Sequence, residues 1–276
     1  MSAAIRDALQ FRNEHRALVD PYLPPQSASA PSTPDGIHVT LTFATSLDSS
    51  IALEPGRQTA LSGPESKALT HYLRSRHDAI LVGVGTAIAD DPSLNCRLEG
   101  VGGYGGEGLD GQPRPIVLDP EGKWNFNDDS KVLKLAGQGR GKGPWVIRKD
   151  APEEERDQLL EKYGGKHIRT AWTDGPAGST KFLWKDLLDE CHQHGIKSIM
   201  IEGGARIIND LLHPDNFALV DSVIVTIAPT WLGQGGVQVC PEARIEEGVK
   251  VPVGRLEDTQ WIPLGEDAVV CGRPKK

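Results

Sequence analysis

The stretch HDAILVGVGTAIADDPSLNCR, residues 77–97, is the part of the chain around which the rest is interpreted. Its run Ala79–Val82 is apolar without alternation, which predicts a strand buried on both faces. The glycines of Gly83-x-Gly85 follow at once, where a side chain would prevent close approach of a backbone or ligand. A short helical turn, Thr86–Asp90, comes next. A strand that leads through glycines into a helix is where α/β proteins bind phosphorylated ligands, although a tight strand exit without a ligand has the same pattern.

The same order of elements recurs in IEGGAR, residues 201–206. A buried strand ends at Glu202, two glycines follow, and a helix then begins. The free N–H groups and the dipole of a helix start suit an anion such as a pyrophosphate, and Arg206 adds a positive charge in the first turn. Close packing of a strand against a helix is the alternative reason for Gly203 and Gly204. Because the pattern occurs twice, we favour a ligand site and expect the Glu202 carboxylate to face the same crevice.

Apolar strands and amphipathic helices alternate along most of the chain, which predicts an α/β fold with a mainly parallel sheet and helices on both faces. The closing segment, residues 261–271, supplies one or two strands without intervening helices, so we expect an antiparallel edge. Between these elements, Ser62 and Glu65 have the spacing of a capping box for a helix that continues to Arg76. The glycine-rich residues 100–113 are interpreted as a flexible surface insertion in preference to a phosphate cradle, because no strand leads into them.

The N-terminal part differs in composition from the rest of the chain. Apolar residues at helical spacing predict a helix over residues 4–19, and a Pro/Ser-rich linker follows at residues 24–36. We therefore divide the chain into two parts. Residues 1–36 form an N-terminal helix with its linker, and residues 37–276 form one domain, which is large enough for an enzyme.

The composition excludes several classes of partner. The 276 residues carry a formal net charge of −8, which argues against binding to nucleic acid or to an anionic membrane surface. No apolar run approaches the roughly 18 residues of a membrane span, and the N-terminus has no secretory signal pattern. No metal-binding spacing of histidine or cysteine occurs. We expect a cytoplasmic protein without a metal centre, since a reducing compartment suits four widely spaced cysteines: Cys96, Cys191, Cys240 and Cys271.

Beyond these patterns, the chain resembles the riboflavin-biosynthesis reductases, and most closely their stand-alone fungal branch. The resemblance covers about residues 38–272 and rests on five segments: residues 40–48, TLTFATSLD; residues 63–97, GPESKALTHYLRSRHDAILVGVGTAIADDPSLNCR; residues 114–119, RPIVLD; residues 199–212, IMIEGGARIINDLL; and residues 225–233, VTIAPTWLG. It implies a dihydrofolate-reductase-like fold, NADPH as cofactor and a homodimer. The implied reaction reduces the ribosyl group of 2,5-diamino-6-(ribosylamino)-4(3H)-pyrimidinone 5′-phosphate to a ribityl chain.

The resemblance also implies roles for individual residues. Those at family positions that contact the cofactor are Ala44, Thr86, Asp90, Pro120, Leu183, Gly203, Gly204, Ala205, Arg206 and Ile207. Those at substrate-contacting positions are Arg74, Leu94, Arg97 and Glu202, with the arginines near the phosphate. Glu202 is also the candidate catalytic residue, although water or the substrate could supply the proton. The chain departs from the family at Ser49, where a glycine is usual, and it lacks the H-x-E and P-C-x-x-C motifs of a deaminase.

Two other functions are compatible with such a fold. A dihydrofolate-reductase-like pterin reductase would need an acidic residue in the pocket helix, but residues 66–76 contain no Asp or Glu. A non-catalytic nucleotide-binding module would keep the glycine exits without turnover. The presence of Arg74, Arg97 and Glu202 beside those exits favours the reductase.

Overall fold

The computed structural model describes residues 7–25, 36–57, 59–174 and 180–275. Its strands are β1 His38–Thr45, β2 Ser50–Ala52, β3 Ala79–Gly83, β4 Arg114–Leu118, β5 Trp145–Arg148, β6 Lys166–Arg169, β7 Thr173–Asp174, β8 Thr180–Lys181, β9 Ser198–Gly203, β10 Ser222–Ile227, β11 Val237–Gln238, β12 Arg244–Glu246, β13 Val249–Val251, β14 Leu256–Leu264 and β15 Asp267–Pro274. Its α-helices are α1 Asn13–Val19, α2 Pro64–Ser75, α3 Val84–Asp90, α4 Lys131–Gly137, α5 Glu154–Lys162, α6 Trp184–Gln193, α7 Ala205–Leu212 and α8 Pro214–Phe217, and a 3₁₀ turn spans Asp20–Tyr22.

Nine of the described strands form one sheet, in the order β14-β15-β10-β1-β9-β3-β4-β5-β6. The pairs from β10 to β6 are all parallel. The two pairs made by β15, with β10 and with β14, are antiparallel. The predicted α/β fold, a mainly parallel sheet with helices on both faces and an antiparallel edge, is confirmed.

Helices cover both faces of this sheet because successive strand residues point to opposite sides. Leu81 packs in a cluster with Leu187 of α6 and Ile208 of α7. Its neighbour Ile80 packs on the other face, in a cluster with Leu133 of α4. Both Ile80 and Leu81 are fully buried, which explains why β3 has an unbroken apolar sequence.

The N-terminal helix is shorter than predicted. It begins at Asn13, and among the described residues of the predicted helix, residues 7–12 are not helical. The backbone of Leu9 instead pairs with the chain at Leu98: its N–H donates to the Arg97 carbonyl at 2.8 Å, and its carbonyl accepts from Glu99 at 2.9 Å. The described residues 7–25 pack on the domain, with Phe11 stacked on Tyr72 of α2. Residues 4–6 of the predicted helix and residues 26–35 of the predicted linker lie outside the described residues.

Two predicted helix starts also differ. The N-cap of α2 is Gly63, not Ser62, and no side chain of the cap residue caps the helix. Asp267, from β15, takes that role: its Oδ2 accepts from the Gly63 N–H at 2.9 Å and from the Ser66 hydroxyl at 2.6 Å. The helix after β3 begins at Val84, before the predicted Thr86, because the extended Gly83 is its cap.

The glycine-rich segment 100–113 packs on the domain and is not the flexible surface insertion that was predicted. The side chains of Tyr104 and Gln112 are buried within it. The Gln112 amide donates to the carbonyls of Cys96, at 2.7 Å, and Gly102, at 2.8 Å. These bonds supply partners for backbone groups that no strand or helix satisfies.

No described helix combines the length and apolar composition needed to cross a membrane. The described His, Cys, Asp and Glu side chains form no group of three or more suited to holding a metal ion.

Candidate functional site

The two glycine exits lie side by side at the carboxyl end of the sheet. Strands β3 and β9 are neighbours, and Val82 pairs with Gly203. The register shifts here, because Leu81 pairs with Ile201 and Glu202 is therefore an extra residue in β9. A bulge of this kind interrupts the pairing and re-aims the side chain of the extra residue. Glu202 therefore occupies an irregular position that its place at the end of an apolar run did not reveal.

The glycines serve two different purposes. Gly203 has a φ of +86°, and a Cβ there would lie 2.7 Å from Cδ1 of Ile208. A Cβ on Gly83 would lie 2.9 Å from Cδ1 of Ile207. At Gly204, with a φ of +50°, the nearest atom to a Cβ is the Thr86 hydroxyl oxygen at 3.1 Å. Gly83 and Gly203 therefore allow strand–helix packing, while Gly204 faces a cavity.

That cavity has a volume of about 750 Å³ and extends along the ends of β3, β4 and β9. It is lined by seven of the ten predicted cofactor residues: Thr86, Asp90, Pro120, Gly204, Ala205, Arg206 and Ile207. Three others do not line it: Ala44 borders a second cavity, Gly203 packs behind the wall, and Leu183 is 63% exposed. Most of the residues predicted to contact a cofactor therefore share one cavity.

The first turn of α7 gives the cavity a positive end. The residue that caps this helix is Gly204, which has no side chain to accept a hydrogen bond. The first N–H groups of α7 therefore have neither a partner within the helix nor a side-chain cap from Gly204. The Arg206 side chain lines the same wall, and its guanidinium has no hydrogen bond or ion pair with the described residues. At the other side of the cavity, burial raises the pKa of Asp90, against the opposing effect of Lys131. The arrangement favours an anionic ligand at the α7 end.

An aromatic part of the wall was missed by the sequence analysis. Trp172, Phe182 and Trp184 line the cavity, with ring centroids 5.0 Å apart in each successive pair. The indole N–H of Trp184 donates to Asp210 of α7 at 2.6 Å, which joins α6 to α7. The prediction of a cofactor contact at Leu183 identified the correct segment but not the correct residues, because Phe182 and Trp184 line the cavity and Leu183 does not. Three aromatic residues within 13 positions of an otherwise aromatic-poor sequence were the available signal.

A second, smaller cavity of about 220 Å³ adjoins the first, and Ile51 lines both. Its wall is mostly side chains that can form hydrogen bonds, drawn from β1, the turn before α2, α2 itself, β9 and β10. They are Thr42, Ser62, Thr70, Glu202 and Thr226. The predicted residues Ala44 and Glu202 meet here. Hydroxyl groups around one carboxylate suit a polyhydroxylated ligand, whose hydroxyls both donate and accept.

Arg74 and Glu202 form a bidentate ion pair beside this cavity. Arg74 Nε lies 3.0 Å from Glu202 Oε1, and Nη2 lies 2.8 Å from Oε2. The Arg74 side chain is 11% exposed and that of Glu202 is 20% exposed, so the pair is largely withdrawn from water. The remaining terminal nitrogen of Arg74 donates to the Asn95 carbonyl at 3.0 Å. The structure thus joins two predicted substrate residues to each other, with three guanidinium nitrogens already engaged.

The other two predicted substrate residues, Leu94 and Arg97, line neither cavity. Arg97 donates its backbone N–H to Nδ1 of His71 at 3.0 Å, and neither cavity includes it. Burial, together with the charges of Arg74 and Arg97, lowers the pKa of His71 to about 2, so this ring stays neutral. Leu94 is buried in the core cluster that contains Ile80. Arg97 therefore offers a cation near Arg74, whereas the structure places Leu94 in the hydrophobic core.

Comparison with known proteins identifies the family. Residues 37–270 match the model of the RibD C-terminal domain. A reductase of Debaryomyces hansenii named for 2,5-diamino-6-ribosylamino-4(3H)-pyrimidinone 5′-phosphate is 39% identical over 260 residues, 94% of this chain and 95% of the relative. Its namesake from Kluyveromyces marxianus is 40% identical over 276 residues, 96% of this chain and 97% of the relative. The solved structure of the Saccharomyces cerevisiae riboflavin biosynthesis reductase Rib7 matches with a TM-score of 0.72 and 32% identity, over 95% of this chain and 100% of that one. The resemblance seen in the sequence is confirmed, and the chain belongs to the RibD C-terminal domain family.

Proposed function

We propose that this chain is an oxidoreductase of riboflavin biosynthesis that uses NADPH to reduce 2,5-diamino-6-(ribosylamino)-4(3H)-pyrimidinone 5′-phosphate to its ribitylamino product. The observation that carries the proposal is the pair of adjoining cavities at the two glycine exits. One is large and ends at an unpaired helix start; the other is small and ringed by hydroxyls around Glu202. The named relatives support this substrate and give no support to a pterin reductase or a non-catalytic module.

The larger cavity fits the proposed cofactor. The first turn of α7 supplies backbone donors for a pyrophosphate, and Gly204 leaves space for its approach. A preference for NADPH over NADH is supported by Arg206, because an arginine is suited to the additional phosphate. When bound, the nicotinamide supplies the hydride. The residues of this chain bind the dinucleotide, hold it against the smaller cavity and exclude water.

We assign Glu202 a binding role in the smaller cavity. Its pairing with Arg74 keeps both of its oxygens in fixed positions, where they can also accept hydrogen bonds from the sugar hydroxyls. Reduction of the open-chain imine form of the substrate needs one proton, which water can deliver. Glu202→Gln should therefore mainly raise the substrate KM. An effect on kcat of about 10²–10⁴-fold, with loss of an ionisation from its pH profile, would instead assign acid–base catalysis to Glu202.

Three further features belong to the proposal. A homodimer is expected from the family, and a cytoplasmic location is expected because four widely spaced cysteines suit a reducing compartment. The reductase domain is assigned to residues 37–276, with residues 1–36 as an N-terminal addition. Its described part, residues 7–25, packs against α2 through Phe11 and Tyr72.

The decisive experiment is a turnover assay with the purified chain. NADPH and the ribosylamino-pyrimidinone phosphate are mixed, and the nicotinamide absorbance is followed while the ribityl product is identified by mass spectrometry. Parallel reactions contain NADH in place of NADPH, or dihydrofolate in place of the pyrimidinone. NADPH-dependent formation of the ribityl product is the expected result. Turnover of dihydrofolate alone, or cofactor binding without any turnover, would contradict the proposal.

A further inference from the structure

The Asn95 side chain connects the glycine-rich segment 100–113 to the ion pair at the smaller cavity. Its Nδ2 donates to the Tyr104 hydroxyl at 2.9 Å and to the Arg140 carbonyl at 2.8 Å. Because a carbonyl can only accept, the orientation of the amide is determined. The backbone carbonyl of the same residue accepts from Arg74 at 3.0 Å. One residue is therefore bonded on one side to the loop and on the other to the partner of Glu202.

This connection is buried and rigidly built. Asn95 and Tyr104 are each 1% exposed. The guanidinium of Arg140 lies over the Tyr104 ring, 4.6 Å from its centroid. A Cβ on Gly103 would lie 2.7 Å from the Gly139 carbonyl oxygen, so a glycine is required for the loop to come this close. The glycines of the segment thus allow a close approach that places the Tyr104 hydroxyl against Asn95.

The backbone that presents the Asn95 carbonyl is strained. Leu94 has a φ of +50°, in the left-handed region that an ordinary residue rarely adopts. The Oδ1 of Asn95 is buried without a hydrogen-bond partner, which is unfavourable. Strain and an unpaired polar atom persist where the surroundings enforce them, and they concentrate at functional sites. Here the unpaired oxygen belongs to Asn95, the residue that contacts Arg74, and the positive φ belongs to its neighbour Leu94.

We propose that Asn95 and Tyr104 are positioning residues, which hold the Arg74 guanidinium in the orientation in which it grips Glu202. The loop thereby contributes to substrate binding without touching either cavity. This inference rests on the proposed function for its kinetic consequence, but its structural content, the immobilisation of Arg74, stands without it. Substrate binding should suffer when the loop is altered, while the larger cavity, which is formed by other elements, should be unaffected.

The first test removes one hydroxyl. Tyr104→Phe should lower kcat/KM for the substrate about fivefold, chiefly through KM, and leave the NADPH dissociation constant unchanged. Asn95→Ala should lower it about 10²-fold, because the backbone carbonyl that accepts from Arg74 is then no longer fixed by the side-chain bonds to Tyr104 and Arg140. The matched control is Tyr163→Phe, since the Tyr163 hydroxyl donates to the exposed Asp128 at 2.6 Å, away from both cavities. Equal effects of Tyr104→Phe and Tyr163→Phe, or a parallel loss of NADPH affinity, would overturn the inference.

Two further measurements separate positioning from a general loss of stability and from failure of the proposed function. If Tyr104 acts through Arg74, its substitution should have no kinetic effect in an Arg74→Ala background, and an effect of unchanged size there would refute the mechanism. The second measurement needs no turnover. In ¹⁵N NMR spectra, the Nε–H signal of Arg74 should be protected from solvent exchange in the parent and in Tyr163→Phe, and lose that protection in Tyr104→Phe. Retained protection would overturn the inference even if the parent had a different substrate.

Discussion

The two adjoining cavities differ in whether backbone or side chains form their binding groups. The larger one is formed at its α7 end by backbone, with Gly204 and the first helical turn providing space and N–H donors. The smaller one is formed by side chains that converge from several elements. Its carboxylate, Glu202, forms an ion pair with the neighbouring Arg74. Backbone donors stay in place as long as the strand and helix do. A side-chain site depends on partners, so each of its members is expected to matter for the others.

This difference predicts how the two cavities respond to substitution. Changes in the backbone-built cavity should act on cofactor affinity through shape. Changes in the side-chain-built cavity should act on substrate binding and, where an ion pair is broken, on stability. Substitutions of residues in the wall of one cavity that alter both affinities together would show that the division is wrong.

The largest effect is expected from Arg74→Ala. It leaves the largely buried Glu202 carboxylate without its cation, and breaking such a pair costs about 3–5 kcal/mol of unfolding free energy. Urea unfolding measures the loss, and cofactor titration should show unchanged NADPH affinity. Arg76→Ala is the control, since Arg76 pairs at 2.6 Å with the more exposed Asp20 and should cost less. A loss no larger than that of the control would contradict the assigned burial of the pair.

Arg97→Ala should act on substrate binding alone. The Arg97 guanidinium has no ion pair with the described residues, so its removal leaves no carboxylate unpaired and stability should change little. If it binds the substrate phosphate, the lost charge-assisted contact is worth about 1.5–3 kcal/mol, a rise in KM of roughly 10–100-fold. Steady-state kinetics with Lys67→Ala, an exposed cation on α2, provide the comparison. A normal substrate KM in Arg97→Ala would place the phosphate elsewhere.

Gly204→Val tests the backbone-built cavity. A side chain at this position enters the space that the proposed pyrophosphate needs, so NADPH affinity should fall by more than tenfold, about 1.4 kcal/mol. Gly203→Ala is the matched comparison: it also has a positive φ, but its Cβ points at Ile208, so it should reduce stability more than cofactor affinity. NADPH titration and unfolding of both variants separate the two effects. A folded Gly204→Val protein with normal NADPH affinity would contradict the assignment of the pyrophosphate to the space beside Gly204.

The contrast between the cavities also explains what the sequence could reveal. The glycine exits and the buried strands are local patterns, so residues 77–97 and 201–206 indicated the fold and the part of the larger cavity that lies at the two glycine exits. The smaller cavity depends on contacts between distant positions: Arg74 and Glu202 are 128 positions apart. The same holds for the cap that Asp267 supplies to Gly63, 204 positions away. The bulge at Glu202 and the packing of residues 100–113 are likewise decided by the neighbours that the fold brings together.

The smallest effect concerns a junction that both cavities share. His77 lies between the last turn of α2 and the start of β3; its Nδ1 donates to the Leu73 carbonyl at 2.7 Å, and its Nε2 accepts from the Thr40 hydroxyl at 2.8 Å. Burial lowers its pKa from 6.5 to about 3; Leu73 opposes the shift, and the charges of His38 and Arg76 add to it. Between those values the unfolded chain binds more protons than the folded one. The free energy of unfolding should therefore fall as the pH falls below about 6.5, by at most about 1.4 kcal/mol per pH unit from this group.

His77→Gln tests that origin, because a glutamine amide can donate to Leu73 and accept from Thr40 without titrating. The free energy of unfolding is measured with urea from pH 7.5, which lies above the ordinary histidine pKa, down to pH 5. It should decline less steeply with falling pH in the variant than in the parent. The decline should not vanish, since His71, with a pKa of about 2, contributes in the same direction. His192→Gln, on an exposed part of α6, controls for the loss of a histidine. If the parent and His77→Gln decline equally, His77 is not the group responsible. If the substrate KM and the NADPH affinity also change by similar factors in His77→Gln, the junction supports both cavities, as its bonds to α2 and β1 beside β3 imply.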